Sequence, residues 1–162
     1  MKHRYFHSIP LLLCIVLSIG AVFVAPIPVL AATVSGEMRQ WHPLTVDFDG
    51  PAHSESDNQP NPFLDYRLTL QLTSPSGASM QIPGFFAGDG EGGGNGNVWR
   101  VRFSPDEAGQ WQYTASFRSG TAVAIETDAS AGSAMSFDGE SGSFTVAERD
   151  SQAPGFLRYG AL

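Results

Sequence analysis

Residues 99–117 read WRVRFSPDEAGQWQYTASF. Large or apolar side chains occupy every second position on both sides of a central Ser-Pro-Asp turn. They are Trp99, Val101 and Phe103 before the turn, and Trp111, Tyr113, Ala115 and Phe117 after it. A period of two places these side chains on one face of a strand, with polar residues on the opposite face. The stretch therefore predicts two consecutive strands that each bury one face.

The same alternation recurs along the chain outside this stretch. It is clear at residues 44–48, 68–72 and 143–146, and weaker at residues 33–41, 79–82 and 123–127. Turn-forming residues separate the runs, as in Ser74-Pro75-Ser76-Gly77. Seven or eight short alternating strands with such punctuation predict an all-β fold, an antiparallel β-sandwich of the immunoglobulin or fibronectin III type.

Three segments break the alternation and are predicted to be loops. Residues 49–61 are polar and contain proline, which predicts a long loop. Residues 88–97 read GDGEGGGNGN, which predicts a flexible glycine loop. Residues 128–136 consist mostly of small side chains.

The first 32 residues have the pattern of a secretory signal peptide. A basic start is followed by an apolar run over residues 11–25 and by the small residues Ala31 and Ala32. We expect cleavage after Ala31 or Ala32 and a secreted or periplasmic product. The alternative is an uncleaved anchor, which needs about 20 apolar residues; the prolines at positions 26 and 28 interrupt the run and favour cleavage.

The composition of the mature chain excludes several classes of partner. Cys14 is the only cysteine and lies within the signal, so no disulfide or thiolate site is expected. Without residues 1–32 the chain has seven Arg and sixteen Asp and Glu residues, a net charge of −9. An acidic surface repels phosphate backbones and anionic lipids. We therefore expect neither a nucleic-acid partner nor a membrane partner after signal cleavage.

Residues 105–113 resemble the corner that precedes strand F in immunoglobulin-like sandwiches. Gly109 suits a tight bend, and Trp111 stands where such corners carry a tyrosine. A tyrosine hydroxyl in that place bonds to the backbone upstream. We expect the shape of the corner here without that hydrogen bond, and we expect the tryptophan in the core.

The glycine loop also offers oxygen atoms of the kind that Ca²⁺ prefers. They belong to Asp89, Glu91, Asn95 and Asn97. The spacing does not match an EF-hand loop. Plain flexibility is the favoured interpretation, calcium binding is the alternative, and no cofactor is expected.

The sequence predicts no catalytic residue. His42 and His53 have no H-x-x-H spacing, and no Gly-x-Ser-x-Gly elbow occurs. The carboxylates fall in turns, such as Asp106 and Glu107, or on outward strand positions, such as Asp47. We expect that the chain alone is not an enzyme.

Several short segments, in this order, are similar to a known family. They are Glu37 with Trp41, and residues 61–65 (NPFLD), 83–90 (PGFFAGDG), 101–105 (VRFSP), 109–113 (GQWQY) and 142–146 (GSFTV). The set resembles the immunoglobulin-like domain of unknown function at the N-terminus of predicted secreted bacterial glycoside hydrolases, ahead of a TIM-barrel domain. The family usually has Tyr-Asp where this chain has Phe86-Ala87, and residues 91–97 look like an insertion.

The resemblance implies a domain organisation and a function. Residues 1–32 are then the signal peptide and 33–148 the β-sandwich, while 149–162 form a linker and the start of a C-terminal catalytic barrel absent from this chain. The sandwich is expected to be a non-catalytic accessory domain that packs on or positions that glycoside hydrolase domain. The alternative is a carbohydrate-binding module that binds polysaccharide through exposed aromatic residues, for which the candidates are Trp41, Phe85 and Phe86.

Overall fold

The computed structural model describes residues 32–160, so the predicted signal peptide lies outside the described residues except for Ala32. The described part is built almost wholly from strands. The elements are β1 (Thr33–Gly36), β2 (Leu44–Ser54), β3 (Tyr66–Thr73), β4 (Ser79–Pro83), β5 (Phe85–Phe86), β6 (Asn95–Phe103), β7 (Gly109–Ser119), a 3₁₀ turn (Val123–Ile125), β8 (Ser133–Ala134), β9 (Ser141–Val146) and a short helix, α1 (Phe156–Tyr159). No helix within 32–160 is long and apolar enough to cross a membrane.

The strands form two antiparallel sheets, and the predicted sandwich is confirmed. One sheet has the order β1-β2-β6-β5. The other has the order β4-β3-β7, with β8 and β9 pairing successive parts of the free edge of β7. These orders correspond to the ABED and C′CFG sheets of immunoglobulin-like domains. Consecutive strands β6 and β7 therefore lie in different sheets, and the corner between them crosses the sandwich.

Aromatic side chains from both sheets fill the space between them. The ring centroids of Trp99 in β6 and Phe117 in β7 lie 4.7 Å apart. The Phe117 ring stacks on Phe137 with a centroid distance of 4.2 Å. Trp111 and Tyr113 are also buried, as the alternation predicts. Each such ring removes about 150–250 Å² of surface from water, so a few of them supply most of the apolar burial of a domain of this size.

The corner between β6 and β7 makes the hydrogen bond that we did not expect. The Trp111 Nε1–H donates to the backbone oxygen of Glu107 at 3.0 Å. The expectation of a corner without this bond was wrong, because an indole N–H on a buried ring can reach the same upstream backbone as a phenol hydroxyl. Gly109 has φ 127°, which only glycine adopts readily, and provides the bend.

Residues 123–127 do not form the expected strand, and Val123–Ile125 form a 3₁₀ turn. The Asp65 carboxylate accepts the Ala122 N–H at 2.9 Å, and Ala122 is left-handed with φ 55°. The Arg67 guanidinium donates to the carbonyls of Val123 and Glu126, among others. Because side chains of the β3 region satisfy the backbone groups of this segment, no strand partner is needed.

Further boundaries also differ from the sequence prediction, and the short strand β8 lies within the expected loop at residues 128–136. Strand β2 continues through the expected long loop as far as Ser54, with a register shift between Asp49 and His53. Strand β6 begins inside the expected glycine loop. Strand β1 ends at Gly36, which has a φ of 115°, and residues 40–42 bend the chain, with a left-handed φ of 70° at Trp41. Polar or glycine-rich sequence in an edge or bulged strand carries no alternation, so the pattern missed these ends.

Candidate functional site

Trp41 lies under the C-terminal segment of the chain. The backbone N–H of Trp41 donates to the Pro105 carbonyl at 2.8 Å, which fixes the Trp41 backbone beside the β6–β7 corner. The backbone of Gly160 lies so close to the indole that a Cβ at position 160 would be 2.7 Å from the ring. One face of the ring is therefore covered, and a sugar could stack there only after this segment moved.

Phe85 and Phe86 are neighbours in β5 and point to opposite faces. Phe86 is 3% exposed and packs on Trp99 at 5.3 Å between ring centroids. The expectation that Phe86 is a surface aromatic was wrong, because successive strand residues alternate between core and solvent. Phe85 is 42% exposed, and the Arg102 guanidinium lies 6.0 Å from its ring centroid.

Phe63 is a surface aromatic that the sequence analysis did not select. It is 51% exposed and contacts Phe86 edge-on at 6.2 Å. The Asn61 side-chain oxygen accepts the N–H groups of Phe63 and Leu64 at 2.9 and 3.1 Å. This cap holds residues 61–65 in a turn that presents the Phe63 ring. The NPFLD segment is part of the resemblance to the family, but nothing in its sequence indicates that the Phe63 ring is exposed.

Phe63 and Phe85 line one groove of about 550 Å³, which we call the aromatic groove. Its charged lining comes from Glu55, Glu91, Arg100 and Arg102. Aromatic faces beside a few charged groups can bind a molecule that has both an apolar face and hydroxyl groups. The groove thus has the chemistry of a small polar ligand site.

Arg100, which lines the aromatic groove, is bonded to the neighbouring strand β2 and to the glycine loop. Its guanidinium donates two hydrogen bonds of 2.6 Å to the Asp47 carboxylate, and a third of 2.9 Å to the Gly90 carbonyl in the glycine loop. The Asp47 hydrogen bonds raise the pKa of Arg100 above its usual value. Arg102 makes no such pair in the described residues, so its guanidinium remains available beside Phe85.

The four calcium candidates are spread along the glycine loop and the start of β6. The Asp89 carboxylate accepts the N–H groups of Glu91 and Gly93, both at 2.8 Å, and these bonds lower the pKa of Asp89. Asn95 pairs with Ser54 in the sheet, while the Asn97 side chain donates to Asp49. No group of three or more His, Cys, Asp or Glu side chains within residues 32–160 is arranged to hold a metal ion. Calcium binding by these residues stays a prediction.

Hydrogen bonds hold several carboxylates in their ionised form. The pKa values of Asp57, Asp65 and Glu107 are lowered by donors around each carboxylate. Backbone N–H groups are the largest cause for the two aspartates, and the Ser76 and Ser74 hydroxyls for Glu107. These groups cap turns.

His53 joins an aspartate to a tyrosine beneath the groove. Its Nδ1 lies 3.2 Å from Asp57 and its Nε2 3.0 Å from the Tyr66 hydroxyl. Burial raises the pKa of Tyr66, which is the opposite of what a nucleophilic phenol needs. The side chains of Asp57, His53 and Tyr66 therefore form a hydrogen-bonded series that connects β2 to β3.

The C-terminal segment presents a second apolar surface. Phe156 and Tyr159 of α1 are 67% and 62% exposed, and we call this pair the tail surface. The Arg158 guanidinium lies 4.9 Å from the Tyr159 ring centroid. Gly160, directly after α1, is the residue that lies on Trp41.

The tail surface and the aromatic groove are formed by different residues. The tail surface lies beside Trp41, just before β2. The groove extends from Glu55, just after β2, to Arg100 and Arg102, which pair with Asp47 and Thr45. Two separate contact surfaces are thus available on one domain.

Comparisons with known proteins find one family and a solved structure to which the chain is similar. The family model described as "Domain of unknown function (DUF5060)" matches residues 37–118. A solved structure, named a "putative glycoside hydrolase" from Bacteroides vulgatus ATCC 8482, is similar over 68% of this chain and 16% of its own, with 24% identity and a TM-score of 0.44. The chain thus spans about a sixth of the length of that protein. No curated protein matches the chain. The match over residues 37–118 covers half of the chain, which therefore belongs to the DUF5060 family of domains of unknown function.

Proposed function

We propose that this chain is the non-catalytic accessory domain of a secreted carbohydrate-active enzyme, and that its tail surface packs on a glycoside hydrolase domain. The observation that carries the proposal is the pair of exposed rings, Phe156 and Tyr159, on a helix that is itself fixed to the sandwich. The resemblance of residues 36–147 to the N-terminal domain of such enzymes gives the class of partner.

The tail surface lies on a segment that is too short to form a hydrophobic core of its own. A four-residue helix is too short to be stable alone and needs contacts elsewhere. It is held by Gly160 against Trp41, while both large rings face solvent. Adjacent exposed rings on an ordered segment are typical of an interface. This arrangement supports docking directly beside the end of the sandwich.

The carboxylates support a non-catalytic role. A glycoside hydrolase needs one carboxylic acid with a raised pKa beside a second carboxylate. Asp57, Asp65, Asp89, Glu107 and Asp128 all have lowered pKa values, caused by the hydrogen bonds that their carboxylates accept. These five groups cap loops and remain ionised, so none suits the acid role.

The first test is the nucleotide sequence after the codon for Leu162. We expect a barrel domain in frame or after a frameshift.

The second test is hydrogen exchange of the sandwich with and without that domain. Protection is expected at residues 156–160 and around Trp41, and not at Phe63. Replacing Phe156 and Tyr159 by serine should remove the protection, and Phe63→Ser is the matched control. Equal exchange in both samples would refute docking.

A second function, carbohydrate binding, is favoured by the aromatic groove. Phe63 and Phe85 flank it, and Arg102 offers hydrogen-bond donors next to the Phe85 ring. Sugar rings stack their apolar faces on aromatic residues while charged groups bind the hydroxyls. The groove and the tail surface share no residue, so both functions are compatible.

Isothermal titration with a panel of plant and algal polysaccharides tests this second function. We expect heat of binding with at least one of them, and a loss of binding of about tenfold or more in Phe85→Ala, in line with the energy of one aromatic contact. Phe156→Ala, which lies outside the groove, should bind as the original chain does. Absence of heat across the panel would count against the groove as a sugar site.

A further inference from the structure

Ala32 connects the N-terminal edge of one sheet to the other sheet. It directly precedes β1 and packs against the hydrophobic core. Its backbone N–H donates to the Glu140 carboxylate at 2.6 Å, across 108 positions of sequence. Glu140 lies between the turn at Asp138-Gly139 and strand β9, on the sheet that does not contain β1. This bond is therefore a direct link between the two sheets.

Glu140 is held rigidly, yet only half of its carboxylate is used. The backbone of Glu140 accepts the Ala115 N–H at 2.7 Å and donates to Phe137 at 3.0 Å, which fixes its position. One carboxylate oxygen takes the Ala32 N–H. The other, Oε2, is shielded from solvent and has no hydrogen-bond partner among residues 32–160. A shielded carboxylate oxygen without a donor is costly, and such groups are rare in folded proteins.

A peptide N–H cannot resolve this mismatch, whereas an ammonium group can. The backbone nitrogen of Ala32 carries one hydrogen while it is part of a peptide bond, so it serves one oxygen. The α-ammonium group of a chain that begins at Ala32 carries three hydrogens and a positive charge. It can donate to both oxygens of Glu140 and neutralise the carboxylate, which is how shielded charges are normally accommodated.

We propose that the precursor is cleaved between Ala31 and Ala32, and that the new α-ammonium group of Ala32 binds both carboxylate oxygens of Glu140. A signal peptidase adds water across the Ala31–Ala32 peptide bond, which leaves a carboxylate on Ala31 and an ammonium group on Ala32. The geometry selects this bond over the next one, because cleavage after Ala32 would remove the nitrogen that faces Glu140. The ion pair that forms after cleavage then holds strand β1 against the opposite sheet.

Mass spectrometry of the protein exported from cells that express the full chain tests the cleavage site. We expect an intact mass and an N-terminal peptide that begin at Ala32. A product that begins at Thr33 or at another residue, or one that retains residues 1–31, would overturn the proposal.

Equilibrium unfolding tests the ion pair independently. The chain is produced behind a removable tag so that it begins at Ala32, and the control begins at Ala31. Glu140→Gln keeps the shape of the side chain but removes its charge. We expect Glu140→Gln to lower the folding equilibrium constant about tenfold more in the chain that begins at Ala32 than in the control, as for a charge-assisted hydrogen bond. Equal effects in the two chains would show that the ammonium group does not bind Glu140.

Discussion

Glu107 shows how one side chain can hold two turns together. It lies in the corner before β7, and its carboxylate accepts the hydroxyls of Ser74 and Ser76 and the Ser76 N–H at 2.7–2.9 Å. Its backbone oxygen accepts the Trp111 indole N–H. The corner, the β3–β4 turn and the core are therefore joined at one residue. The two serine hydroxyls, ahead of the Ser76 N–H, lower the pKa of Glu107.

The lowered pKa of Glu107 predicts a pH-dependent contribution to stability. A carboxylate with a lower pKa in the folded state stabilises the fold above its unfolded pKa, and the contribution is lost as the pH falls through the folded pKa. Glu107→Gln should lower the urea midpoint at pH 7. The gap between the two urea midpoints should narrow as the pH falls below about 4.5, the ordinary pKa of a glutamate.

Urea unfolding at pH 7 and pH 3 measures this effect. Asp106→Asn is the control, because Asp106 is exposed and no hydrogen bond involves its carboxylate within the described residues. The control should have the same midpoint as the original chain at pH 7. A Glu107→Gln deficit that is as large at pH 3 as at pH 7 would contradict the role assigned to the charge.

At the scale of elements, the glycine loop is closed into a turn by its own hydrogen bonds. Asp89 donates its N–H to the Gly93 carbonyl and accepts two further N–H groups with its side chain. Gly88 has φ 58°, and a Cβ there would clash with the Gly93 carbonyl oxygen. Glycine is needed at this position because backbone meets backbone. The composition of residues 88–97 cannot distinguish close approach from flexibility, since both favour glycine.

Alanine should lower the free energy of unfolding by unequal amounts at two glycines of the loop. Gly92 also has a positive φ, 107°, but a Cβ there meets nothing within 4 Å. Gly92→Ala should cost about 1 kcal/mol, the strain of the backbone conformation alone. Gly88→Ala should cost about 2 kcal/mol more, because the loop must also open. Thermal and urea unfolding of the two variants measure the difference, and equal losses would show that the loop yields easily.

The tail segment allows a similar comparison. Gly155 and Gly160 flank α1, with φ values of 55° and 77°. A Cβ at Gly160 would press on the Trp41 indole, and a Cβ at Gly155 meets nothing within 4 Å. Gly160→Ala should therefore release the segment and move the emission of Trp41 to longer wavelength, whereas Gly155→Ala should not. The difference spectrum against Trp41→Phe isolates this tryptophan from Trp99 and Trp111. Identical spectra for the two alanine variants would mean that the segment does not cover Trp41.

At the scale of the whole molecule, burial was easier to predict from the sequence than exposure. The alternation around Trp99 and Trp111 reports which side chains point between the sheets, because strand geometry alone fixes that direction. The aromatic groove depends on how β5 pairs with β6 and on how Asn61 caps the turn that carries Phe63. Both are contacts between distant segments and leave no periodic signal. For the same reason the sequence favoured Phe86 as much as Phe85.

The hydrogen bonds that close the sandwich end at Ala147, which leads to a prediction for the whole domain. Gln40 donates to the Ala147 carbonyl at 2.9 Å and Ala147 donates to the Met38 carbonyl at 2.8 Å, and both sheets are complete by β9. A chain that ends at Glu148 should therefore unfold in one cooperative step. Its urea m-value should be nearly that of the longer chain, because m follows the surface exposed on unfolding and α1 buries little.

The same shortened chain separates the two surfaces of the domain. Removing residues 149–162 uncovers Trp41 and deletes the tail surface, but it leaves Phe63 and Phe85 in place. Any polysaccharide that binds the aromatic groove should bind the shortened chain as tightly as the longer one, by isothermal titration. Its Trp41 emission should match that of Gly160→Ala. Loss of cooperative unfolding, or of polysaccharide binding, would mean that the C-terminal segment belongs to the sandwich and not to the interface beside it.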